Sequence, residues 1–215
     1  MKHLIIIGAR GYGRGVYDIA QSMPTYQKEF DIKGFLDSKT DALDEYNNYP
    51  PILGAVETYE IQPDDVFTCA LGDVKWKKYY ASIILNKGGE FMNIIHSSVH
   101  FGSNVKLGIG CIIGQSVVID SDAKLSNFVS IQAQAVIGHD VKIGDWTMID
   151  CFSFCGGFVN VSESSTIHTG AIIVPHMIVE KFSTVNAGSL VTRKVKENTV
   201  VMGSPAREMI LPKIN

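Results

Sequence analysis

No segment of this chain is apolar for long enough to cross a membrane. The opening run from Met1 to Ile7 is broken too early to be a span or a secretory leader. Long blocks of one charge are also missing. The 19 Lys and Arg nearly balance 22 Asp and Glu, for a net charge of −3, which argues against nucleic acid as the main partner. The four cysteines, Cys69, Cys111, Cys151 and Cys155, show neither metal nor disulfide spacing. The expectation is a soluble, cytoplasmic protein with reduced thiols. Its 215 residues leave room for one or two domains.

What is present in abundance is a repeat of six. From Ser97 to Thr192 the chain divides into sixteen hexads without insertion: SSVHFG, SNVKLG, IGCIIG, and so on to AGSLVT. The fifth place is apolar every time, from Phe101, Leu107 and Ile113 through to Val185 and Val191. The third place is small or β-branched almost throughout. Places three and five alternate like the inward residues of a strand, and the sixth often holds Gly, Asp, Ser or Asn, which favour turns. Hexapeptide periodicity is the signature of a parallel β-helix. A turn every six residues makes a three-sided prism with eighteen residues per coil. Cys111 and Cys155 fall on inward places and are expected to be buried.

Place four points outward, so reading every eighteenth residue separates the faces. One face reads Val118, Val136, Phe154, Ile172, Leu190 and is apolar throughout. The next reads Lys106, Lys124, Lys142, Asn160, Ile178. The third reads Ser130, Met148, Thr166, Thr184, with Phe128, Trp146 and Phe182 at place two. An outward apolar stripe of this length needs a cover. A homotrimer packed along it is expected, the alternative being a monomer whose C-terminal tail lies over it. After Thr192 the hexads stop, and the turn-rich segment 200–207 is expected to cap the last coil.

Residues 1–95 read as a small α/β unit with a parallel sheet. Strands are expected at 3–7, 32–36, 66–71 and 91–95. One helix runs through Val16, Ile19 and Ala20, another carries Trp76, Tyr79, Tyr80, Ile83 and Ile84, and 38–51 is a surface loop. Between the first strand and first helix lies Gly8-Ala9-Arg10-Gly11-Tyr12-Gly13-Arg14-Gly15. Strand, glycine turn and helix is the phosphate-cradling arrangement of nucleotide folds, and equally a plain tight turn. Asp37 ends the second strand, where an acid meets a sugar or base hydroxyl or caps a turn. The unit lacks the full dinucleotide fingerprint and is too short for a whole dinucleotide domain, so NAD is not expected.

For chemistry, His139 opens a hexad at the corner between the apolar and lysine faces. Asp140 follows it. A carboxylate beside an imidazole holds one tautomer and favours protonation, as a general base requires; a surface histidine at a turn is the plainer reading. His3, His96, His100, His168 and His176 are weaker candidates. His139 is 29 and 37 residues from His168 and His176, neither a whole number of coils, so no metal site is expected.

The chain resembles the bacterial sugar O-/N-acetyltransferases of the hexapeptide-repeat type. This group includes UDP-4-amino-sugar and perosamine N-acetyltransferases and the sialic acid O-acetyltransferase type. The likeness is carried by Ile6-Ile7-Gly8-Ala9-Arg10-Gly11-Tyr12-Gly13, Ile95-His96-Ser97-Ser98-Val99, Ile137-Gly138-His139-Asp140 and Gly203-Ser204-Pro205-Ala206. It implies a Rossmann-like unit (1–95) that binds a nucleotide-sugar, followed by a left-handed β-helix (96–215), in a homotrimer with acetyl-CoA between adjacent prisms. It implies His139 as general base oriented by Asp140, and the Gly157 amide as oxyanion donor. It places the nucleotide-sugar near Gly11, Tyr12, Gly13, Asp37 and Gly72, and acetyl-CoA near Met148, Gly157, Thr169, Ala187 and Gly188. Some relatives carry a second histidine nine residues after the base; here Met148 stands there.

The expected reaction is direct acetyl transfer from acetyl-CoA to the amine of a nucleotide-linked sugar, with no metal. O-acetylation of a sialic acid or another sugar hydroxyl is the nearest alternative. A non-catalytic nucleotide-sugar-binding protein is the alternative from another class.

Overall fold

The computed structural model describes residues 1–209, so the last six residues of the expected 96–215 domain lie outside it. The chain forms two compact units. The first is Met1–Ser97 with Ile109–Gly114; the second is Ser98–Gly108 together with the chain from Gln115 onward. One later hexad, Ile109–Gly114, is thus grouped with the first unit. Among the described residues, no helix is long and apolar enough to cross a membrane.

In the first unit, β1 (Lys2–Ile7) is flanked by β2 (Phe30–Leu36) and β3 (Asp65–Cys69), with β4 (Glu90–Phe91) beyond β3, all parallel. The run Leu4-Ile5-Ile6-Ile7 is apolar without alternation because β1 is central and buried on both faces. Helix α1 (Gly11–Ser22) follows β1 and packs Val16 and Ala20 into the core; α2 (Val74–Asn86) follows β3. The single strand expected at 91–95 is two. After β4, the Met92 amide still bonds to Phe67, then the Asn93 side chain accepts the Cys111 amide and the chain changes sheet. Ile94–Ile95 pairs with Ile112–Ile113 instead.

The second unit is the prism. Every hexad puts a two-residue strand at places four and five, stacked in parallel on the strands eighteen residues away, for example Val118–Ile119 on Val136–Ile137 on Phe154–Cys155. From Ile113 to Val191 every fifth-place side chain is 3 % exposed or less. Each buried aliphatic contributes about 1.5–3 kcal/mol. Phe101 and Leu107 are less buried because their strands are the first in their sheets. Inward hydroxyls are satisfied by the next coil: Thr147, Ser153 and Ser165 donate to the carbonyls of Ser162, His168 and Glu180.

The turns sit at places one and two, not six. Place two has positive φ in coil after coil, at Phe128 (57°), Trp146 (63°), Phe158 (59°) and Phe182 (57°) among others. Several sixth places hold glycine for a different reason. At Gly144, a Cβ would lie 2.5 Å from the Glu163 amide nitrogen of the next coil. The capping segment forms as expected: Val200–Met202 extends the Thr184–Val185 sheet and pairs antiparallel with Arg207–Glu208.

Candidate active site

Each unit carries a candidate site. In the first, a cleft of about 390 Å³ opens at the C-terminal ends of β1, β2 and β3, lined by Gly8, Arg10, Tyr12, Gly13, Asp37, Gly72, Trp76 and Tyr80 among others. Gly13 is required by packing, since a Cβ there would fall on the Gly8 carbonyl oxygen. Gly11 and Gly72 have open space beside them, which leaves room for a ligand. Arg10 is the N-cap of α1 and makes no side-chain cap bond. The positive end of that helix, with Arg10 beside it, suits an anion. The matching end of α2 is already closed by Asp73, whose carboxylate accepts the Trp76 amide at 3.1 Å.

Asp37 is committed more than its sequence position suggests. One oxygen accepts the Ala9 amide at 3.0 Å and the other the Lys39 amide at 2.9 Å, so it braces the glycine turn. Sequence reasoning missed Arg10, Trp76 and Tyr80 as cleft residues. Trp76 and Tyr80 stack with centroids 6.0 Å apart. Their spacing of four on a helix, beside a glycine turn, is the signal that could have found them. Burial, with Glu57, Tyr79 and Asp37 nearby, pushes the Tyr80 hydroxyl above its ordinary pKa and keeps it a donor.

In the second unit, His139 stands exposed at the corner that follows the apolar face. Its Nδ1 lies 2.9 Å from Asp140 Oδ2. A carboxylate only accepts, so Nδ1 carries the proton and Nε2 is left to act as base. The ring lies against the next coil. A Cβ on Gly157 would come 2.5 Å from His139 Nε2, so only glycine admits the imidazole there. No acceptor among the described residues takes the Gly157 N–H. Phe158 touches the imidazole edge-to-face at 5.0 Å and stacks on His176 at 4.9 Å. Two coils plus one residue therefore bring His176 to the same corner as His139, which the count of 37 had argued against. Phe158 stands between them. Among the described residues no group of three or more His, Cys, Asp or Glu converges as for a metal.

The other residues lie elsewhere. Exposed Thr169, Ala187 and Gly188 share the corner that precedes the apolar face, so they flank that face opposite His139. Met148 is 2 % exposed in the single chain and packs within the third face. His3 pairs with Asp31 at 2.7 Å at the start of β1, away from the cleft.

No curated protein matches this chain by sequence. Residues 3–84 match the PglD N-terminal domain family. Among solved structures, PerB from Caulobacter crescentus, in complex with CoA and GDP-perosamine, superposes with a TM-score of 0.87 at 22 % identity, covering 97 % of this chain and 98 % of that one. The acetyltransferase domain of PglB from Neisseria gonorrhoeae gives 0.88 at 23 %, covering 97 % and 100 %. WeeI from Acinetobacter baumannii gives 0.84 at 20 %, covering 97 % and 100 %. The chain therefore has their fold, an N-terminal α/β unit followed by a left-handed β-helix, with the PglD-type domain at its head.

Proposed function

We propose that this protein is an acetyl-CoA-dependent N-acetyltransferase acting on a nucleotide-linked amino sugar, working as a homotrimer in the cytoplasm. The observation that carries the proposal is the His139 imidazole, fixed at Nδ1 by Asp140 and seated on Gly157 at the rim of an exposed apolar face. The α1 N-terminus and Arg10 supply a cleft suited to a diphosphate. The structural neighbour with 22 % identity carries CoA and GDP-perosamine, which supports the pairing of these two substrates on this fold.

In the proposed reaction the sugar amine attacks the thioester carbonyl and loses a proton to His139 Nε2. The tetrahedral intermediate expels the CoA thiolate, and the acyl group remains as an amide. The Gly157 N–H is the candidate donor to the oxyanion, a role worth about 3 kcal/mol where one such donor has been removed. The proposed transfer is direct, from thioester to amine, with no covalent enzyme intermediate; orienting the two reactants contributes alongside the base and the oxyanion donor.

Thiol release from acetyl-CoA, measured against a panel of nucleotide-linked amino sugars, tests the reading. Release with at least one amino sugar, and none with its hydroxyl counterpart, supports it. Release with hydroxyl sugars alone would identify an O-acetyltransferase, and none with any member would leave a binding protein. His139→Ala is expected to lower kcat by about 10²–10⁴-fold while the assembly keeps its mass.

A further inference from the structure

The two edges of the apolar face carry different chemistry. One edge holds His139, Asp140 and Gly157. The other holds a column of polar side chains, one per coil. Gln132 Nε2 donates to Asp150 Oδ1 at 2.8 Å, and Asp150 Oδ2 lies 2.9 Å from His168 Nδ1. The Cys151 thiol in turn reaches Gln132 Oε1 at 3.6 Å. Asp150 is 19 % exposed and His168 42 %. The supporting acid is thus sheltered and the imidazole presented. With Nδ1–H given to Asp150, the neutral ring keeps Nε2 as an acceptor. Among the described residues nothing bonds to it.

We propose that His168 is a second binding histidine of the transfer site, contributed across the subunit interface. Its Nε2 accepts an amide N–H of the pantetheine arm of acetyl-CoA and holds the thioester against His139 of the adjoining protomer. This rests on the acetyl-transfer reading and on a ring closed along the apolar face.

Three observations carry it. First, a column that served only to stack coils would be complete with side chains bonded to each other; this one ends on an exposed imidazole whose tautomer is fixed from below. Second, within one prism His139 and His168 lie on opposite edges of the face. In a closed ring each interface uses one edge from each protomer, so the His139 edge of one meets the His168 edge of the next. Third, Met148 is buried and its thioether is at best a weak acceptor, whereas the pantetheine arm brings two amide N–H groups that need acceptors.

The test is subunit complementation. His168→Ala is expected to raise KM for acetyl-CoA about tenfold, the loss of roughly one hydrogen bond, with KM for the sugar unchanged. His168→Gln, which keeps an acceptor, is expected within about threefold of wild type. Co-expression of His139→Ala chains with His168→Ala chains is then assayed below the wild-type KM. Mixed assemblies contain interfaces with both histidines intact, so a component of wild-type KM is expected to appear that neither parent shows. Its absence, or an unchanged KM in His168→Ala, overturns the proposal. If His168→Ala does not assemble, Asp150→Asn replaces it in the same mixture. If the wild type releases no thiol with any sugar, the acetyl-transfer reading itself has failed. Calorimetry with CoA then decides separately, since equal affinity in wild type and His168→Ala, or no binding by either, rejects the histidine's role.

Discussion

Gly157 owes its identity to a neighbouring ring. The imidazole of His139 fills the volume that any side chain at 157 would need, with Nε2 only 2.5 Å from the place of a Cβ. In Gly157→Ala the cheapest relief is rotation of the exposed histidine, not movement of the coil. The fold and the melting temperature should therefore hold, while kcat falls by about 10²-fold from displacement of the base; wild-type kcat in this variant would refute the seat. Lys77 makes a different prediction. It is fully buried on α2, and burial lowers its pKa to about 8, against a smaller opposing pull from Cys69 and Cys111. The folded state thus releases its proton more readily than the unfolded chain. Below pH 8 the lysine is charged in both states and the penalty is present in full. Between pH 8 and about 10.5 the unfolded chain binds more protons, so stability rises with pH. Urea unfolding at pH 7 and pH 10 should show wild type gaining about 2–3 kcal/mol relative to Lys77→Met; parallel changes in the two proteins would count against it.

At the scale of the element, what the sequence reveals is what must be apolar. The fifth places were legible because each lies inside the prism, and burial tolerates no charge there. The turns were not. Phe128, Trp146, Phe158 and Phe182 take left-handed backbone that single-residue preference reserves for Gly and Asn, because the coil geometry fixes φ at place two regardless of the residue. Placing the turn at places one and two also explains why His176 reaches the corner of His139, which counting from whole coils had obscured. The 91–95 run hid its break because both halves are apolar and only Asn93 marks the change of sheet. The same geometry predicts thiol reactivity. Cys69, Cys111 and Cys155 are buried, and burial pushes the Cys69 and Cys155 thiols up to about 12. Cys151 sits at place one, on a turn, and is partly exposed. A thiol-reactive disulfide reagent should therefore modify one cysteine in the native protein and none in Cys151→Ser. Rapid modification of two or more would contradict this burial pattern.

At the scale of the whole molecule, the apolar face decides what the protein can do alone. Phe154 and Ile172 are 39 % and 45 % exposed in the single chain. The described C-terminal segment does not cover them, because Val200–Met202 pairs with the sheet of Thr184–Val185 and only Gly203 and Ala206 reach the end of the face, at the Leu190 backbone. Residues that border this face on both sides include every candidate for acyl-donor binding except Met148. Closing the face against copies of itself would therefore exclude water and complete a site in one step. Ile172→Glu places a charge in the middle of that contact, without touching His139 or the inward places, and an uncompensated buried charge costs several kcal/mol. Light scattering should give three times the chain's 23.5 kDa for wild type and a single chain for the variant. Acetyl transfer should fall with the loss of mass, while affinity for the nucleotide-sugar is kept if, as proposed, the cleft of the first unit binds it. A variant that stays assembled and active would mean that this face is not the one the protomers share. A variant that becomes monomeric yet keeps full activity would mean that one prism carries the whole site.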